Sequence, residues 1–244
     1  LAAIGLNDAT DFNNYSIANS QTSAFTFSAT SSAAPGTHTV TITNPAKSQT
    51  SSSLDASTSG PIVGFSSKTQ SINGGNSFDL TFTIGTASQT TKTVSVASAT
   101  PTGVVNAIND ANLGITAQVV ALDTSGSNFT IQLTGGTGVE QAFSISESVS
   151  ELNFAIPSGF NAADASLTVN GIQYTRSSNT IDDIIPGASF NIAAATSGAA
   201  SVSITRDTTT IKATLESFVA TFNDVNSQLR GLVSSADSGE LKGN

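Results

Sequence analysis

The sequence predicts an α+β, mainly β protein: two nested antiparallel β domains, one inserted into the other, on a helical coiled-coil-like stem. Alternation of apolar residues with Ser and Thr fills the middle of the chain, the period of half-buried strands. A stripe of apolar residues at heptad spacing fills the C-terminal end. The first residues, Leu1–Asn7, read as the last turns of another helix, with Leu1, Ile4 and Leu6 apolar. Helix at both ends with β structure between them implies nesting.

Composition narrows the function classes. The 244 residues carry 8 Lys+Arg against 17 Asp+Glu, a formal charge of -9, which leaves no electrostatic footprint for a phosphate backbone or an anionic membrane. No apolar run reaches the ~18 residues of a transmembrane helix. With no Cys, thiolate metal sites, disulfides and Cys nucleophiles are excluded. The chain also has no Met, and it opens as if in mid-element, so it is expected to be a piece of a longer protein.

The elements follow in order. Phe25, Phe27 and Ala29 alternate with Thr26 and Ser28; after a turn at Ala33–Thr37, Val40 and Ile42 alternate with threonines. These two runs are expected to pair as a hairpin. Ser48–Pro61, polar and low in complexity, reads as a linker into the inserted domain. Phe78, Leu80, Phe82 and Ile84, then Val94 and Val96, predict two strands of that domain. At Thr100 the period changes. Thr100 suits an N-cap and Pro101 the first helical position, Val104, Ile108 and Ala111 share a face, and Gly114 suits a left-handed end. Strands resume at Ile115–Leu122, Phe129–Leu133 and Phe143–Ile145, and Ile156–Ala165 reads as the return crossing. Asn170-Gly171 between Leu167/Val169 and Ile172/Tyr174 predicts a two-residue hairpin, since both turn positions need positive φ. Phe190/Ile192 and Val202/Ile204 supply two more strands.

The resulting division places the helical stem in 1–17 and 208–244, a discontinuous β domain in 18–60 and 161–207, and an inserted β domain with one short helix in 61–160. The stem carries the candidate functional residues. Ile211, Leu215, Phe218, Phe222, Val225, Leu229 and Leu232 are spaced alternately 4 and 3 apart, a helix-packing seam started by Asp207 or Thr208 as cap. Burial of such side chains is worth ~1.5–3 kcal/mol each, so the stripe demands a partner helix.

Other candidates for chemistry read as scaffold. Asn179 or Thr180 is expected to cap a short helical turn, with Asp182 and Asp183 at its positive end, Ile181, Ile184 and Ile185 on its apolar side and Pro186-Gly187 as breaker. His38, the single histidine, lies on the polar phase of a strand, with no motif for a nucleophile or orienting acid. Ile72–Asn76 (INGGN) and Thr134–Gly138 (TGGTG) read as turns, because no Gly-Lys-Ser/Thr follows and neither opens a helix. No catalytic residue, metal ligand or cofactor site is expected.

Asp164–Val225, with the string VNG…RSSNTIDDIIPG…VSITRDT before a helix, resembles the C-terminal conserved region of the flagellar hook-associated protein 2 family, the filament caps of bacterial flagella. Leu6–Gln49 is similar to the end of that family's N-terminal region. Thr100–Ile145 resembles an insert motif shared by flagellin and hook-associated proteins. The resemblance implies antiparallel leg helices with nested β domains as a head. It also implies a ring-like homo-oligomer at the extracellular filament tip, with flagellin as partner, whose polymerisation it promotes and whose leakage it prevents. In some members it implies adhesion to host mucin or glycan. A surface-adhesion module, a flagellin-like filament component and a Ser/Thr-rich hydrolase are the alternatives. The heptad seam opposes the first, the TIDDIIPG segment the second, and the lack of a nucleophile motif the third.

Overall fold

The computed structural model describes residues 14–53 and 64–233. The expected helix at Leu1–Asn7 and the part of the expected linker after Ser53 lie outside them. The rest is predominantly β with two α-helices, as expected, and every strand pairing is antiparallel.

Two apolar cores form, sharing no residue. The first is built from both ends of the described chain. Strands β1 (Tyr15–Asn19), β15 (Ala200–Arg206), β3 (Gly36–Asn44), β11 (Ala165–Val169) and β12 (Ile172–Arg176) lie side by side in that order. A second sheet orders β13 (Thr180–Ile181), β14 (Ala188–Ile192) and β2 (Phe25–Ala29). Their apolar phases meet: Phe25, Val40, Ile42, Leu167, Phe190, Val202 and Ile204 are all buried. Phe190 packs edge-on to Phe27 at 4.9 Å between ring centroids, a favoured aromatic geometry.

The second core lies between β4 and β10 in sequence. One sheet orders β10 (Phe154–Ala155), β4 (Ser48–Ser53), β8 (Phe129–Thr137) and β7 (Thr116–Ala121); the other orders β6 (Thr90–Val96), β5 (Phe78–Ile84) and β9 (Phe143–Glu147). Helix α1 (Pro101–Asp110) packs on β6 and β7. Its start follows the sequence argument: Thr100 Oγ1 accepts from the Gly103 N–H at 3.1 Å, and Pro101 follows the cap. Val104 and Ile108 are fully buried, but Ala111 is exposed and Leu113 packs against the core.

Several expectations are corrected. The two N-terminal alternating runs do not form a hairpin. Strand β2 pairs with β14, whereas β3 pairs with β11 and β15, and the runs face each other across the core. Their partners come from the far end of the chain, which local alternation does not reveal. Ser48–Ser53 is strand, not linker. Gln49, Ser51, Ser52 and Ser53 are buried, and three of them are matched: Ser51 Oγ donates to Ala155 O, Ile131 N–H donates to Ser53 Oγ, and Gln49 bonds both backbone groups of Phe143. The helical stem drawn to residue 17 is cut back, since Tyr15–Asn19 is strand β1. TGGTG is not a turn, because Thr134–Thr137 continues β8. Gly135 leaves room for Phe143, whose ring would lie 3.2 Å from an added Cβ.

Candidate functional site

The described seam lies on helix α2 (Thr208–Val233), which follows β15 after Asp207. Asp207 caps it. Its carboxylate accepts from the Thr209 and Thr210 N–H groups at 3.1 and 3.0 Å and from the Thr210 hydroxyl. The Thr210 hydroxyl, then its backbone N–H, holds the Asp207 carboxyl below its ordinary pKa. Along the helix Lys212 faces Glu216 one turn on, and Gln228 donates to Asp224.

The seam residues share one side of α2, as their spacing requires. Ile211 and Phe218 are half-buried, while Leu215, Phe222, Val225 and Leu229 are exposed, Phe222 at 60%. The Phe218 and Phe222 rings lie 6.3 Å apart along the helix, tilted by 35°. Leu232 lies in the helix, but its side chain is outside the described residues. Val219, 53% exposed, widens the stripe; a strict 4–3 count skips it, and its place one turn after Leu215 was the available signal. Ile211, Leu215 and Val219 line an open apolar flank of this helix. No sheet among the described residues packs closely on α2. Exposed apolar stripes of this length mark interaction surfaces in soluble proteins.

The other candidates are engaged as scaffold. Residues 179–185 form no helical turn. Thr180–Ile181 pairs with β14, and Ile181 and Ile185 enter the first core. The Asn179 side chain, instead of capping, bonds both backbone groups of Ala46 at 2.7 and 2.9 Å. Asp183 pairs with Arg176 at 2.8 Å; hydrogen bonding from that guanidinium lowers the Asp183 pKa. His38 Nδ1 lies 3.0 Å from Asn170 Nδ2, which makes the nitrogen an acceptor and the residue a strand latch. Among the described residues no three His, Asp or Glu side chains gather as a metal site, and no helix is long and apolar enough to cross a membrane.

Two family models match the chain: the flagellar hook-associated protein 2 N-terminus over residues 1–49 and its C-terminus over residues 162–243. Together they cover more than half of the chain, in the order of one protein. The chain belongs to the flagellar hook-associated protein 2 family. Relatives of that name include one from Treponema maltophilum, 43% identical over 68 residues, covering 28% of this chain and 10% of the relative. The Salmonella typhimurium protein is 32% identical over 132 residues, covering 49% of this chain and 28% of its own. The chain thus spans about a third or less of these hook-associated proteins. In structure it is similar to the D1-D2-D3 domains of the Escherichia coli flagellar cap protein, with TM-score 0.68, 23% identity, and coverage of 96% of this chain and 71% of that one. The Pseudomonas aeruginosa cap protein gives 0.58 and 23%, covering 88% and 99%. These two likenesses establish a shared fold.

Proposed function

We propose that this chain is the central part of a non-enzymatic flagellar filament cap, acting outside the cell at the filament tip. There it forms a ring-like homo-oligomer that promotes flagellin polymerisation and prevents flagellin escape. The observation carrying this reading is the pattern of the match: family sequence on both flanks, a separate β core between them, and an exposed helix seam. The two solved neighbours are flagellar cap proteins. The stem, the discontinuous β domain and the inserted domain are the proposed working parts, with the insertion beginning near Lys47 rather than after Pro61.

In this reading the seam packs against a partner helix of the same protein to make the leg. Phe222→Asp or Leu229→Asp places a carboxylate in that contact, where an unpaired buried charge costs several kcal/mol. The 244-residue chain is expected to self-associate through its bare seam, and in sedimentation either change should abolish this while the β circular dichroism signal persists. In the intact protein, the same changes should shorten filaments and release flagellin into the medium. Normal motility with either aspartate would refute the leg role.

A further inference from the structure

The two cores are joined where the chain passes from β3 to β4 and returns into β11. Lys47 and Ala163 exchange both backbone hydrogen bonds, at 2.8 and 3.1 Å, so the crossings form a two-stranded ribbon. A ribbon resists stretching but bends across its face. A third contact, off the ribbon, would fix its angle, and the structure supplies one. The Gly138 N–H donates to Lys47 O at 3.2 Å, and the next N–H, of Val139, donates to Asp164 Oδ1 at 2.9 Å. Gly138 and Val139 follow β8 of the second core, whereas Asp164 opens the return into the first.

Both sides of this contact are themselves held. Asn44 Nδ2 donates to Asp164 O at 2.7 Å, and Asn179 clamps Ala46. On the other side, Gln49 ties β4 to Phe143 of β9. Gly138 has φ 95°, and an added Cβ would stand 2.5 Å from Ser177 Cβ and 2.9 Å from Asp164 Oδ1. Glycine is therefore required here both for its conformation and for its closeness to the first core.

We infer that Asp164, Gly138 and Val139 form a latch that fixes the angle between the two β cores, so that they move as one body. Asp164→Ala removes the acceptor and Gly138→Ala wedges the surfaces apart. Either releases the ribbon to bend while each core stays folded. Asparagine at 164 keeps an oxygen acceptor and preserves the latch.

The chain has no native cysteine, so the distance between the cores can be read directly. Spin labels on Thr91→Cys in β6 and Gln173→Cys in β12, both exposed sites, report it by pulsed electron resonance. A single narrow distance distribution is expected in the parent and in Asp164→Asn. A broad or split one is expected in Asp164→Ala and Gly138→Ala. Should Asp164→Ala fail to fold, Val139→Pro removes the same hydrogen bond from the donor side, at the first position of a 3-10 turn, where proline is tolerated. A broad distribution in the parent overturns the latch. So do narrow, unshifted distributions in the alanine or proline variants.

Discussion

Phe190→Ala tests whether the two cores are separate stability units. Phe190 is 1% exposed and contacts Phe27 and Phe25 at ring distances of 4.9 and 6.0 Å. Truncating a buried Phe costs about 3–5 kcal/mol, the lost transfer energy plus the cavity left behind. With a urea dependence of about 1–3 kcal/mol per M, the midpoint of the first core should fall by more than about 1 M. The sequence provides a selective probe. It has two Tyr and no Trp, and both Tyr15 and Tyr174 pack against the first core. Tyrosine fluorescence therefore follows that core alone, while far-ultraviolet circular dichroism follows both. The matched change in the second core is Phe82→Ala, at a residue 0% exposed beside Phe143. It should shift a dichroism transition by a similar energy and leave the tyrosine midpoint in place. If Phe82→Ala moves the tyrosine midpoint as far as Phe190→Ala does, the cores unfold as one unit and are not separate in stability.

Removing the α1 cap with Thr100→Ala should lower the second transition by about 0.5–2 kcal/mol in the same urea experiment and spare the tyrosine midpoint. Glu140 accepts from the Thr86 hydroxyl and from the Ala87 and Ser88 N–H groups, which hold its carboxyl down to about 2 from 4.5. A depressed folded pKa means this contact stabilises fully above about 4.5 and is lost as pH falls through about 2. A carboxyl titration by NMR should give that midpoint, and one near 4.5 would count against the contact. Asp183→Ala breaks an ion pair whose side chains are 35% and 54% exposed, so thermal unfolding should register less than about 1 kcal/mol. Asp182→Ala should register less still. Equal losses at both positions would mean that the pair with Arg176 contributes nothing of its own.

Much of this protein is written locally. Alternation located the main strands of both cores, Thr100 and Pro101 marked the start of α1, and Asn170-Gly171 marked a hairpin with φ values of 51° and 83°. The heptad spacing of Ile211 to Leu229 puts these residues on one side of α2. Such features are legible because cap, turn and periodicity act within a few residues. The choice of partners was not legible. Strand β2 pairs with β14 and β3 with β15, across more than half the chain, because each pairing is decided by which apolar faces close a common core. Ser48–Ser53 looks like a linker until Ala155, Ile131 and Phe143 supply partners for its side chains and neighbours. The latch at Asp164 is likewise invisible in sequence, since an aspartate there reads as a loop residue until Val139 arrives from 25 positions away. A buried polar strand and a shared carboxylate are stable only through hydrogen bonds from distant segments, so tertiary structure alone decides them.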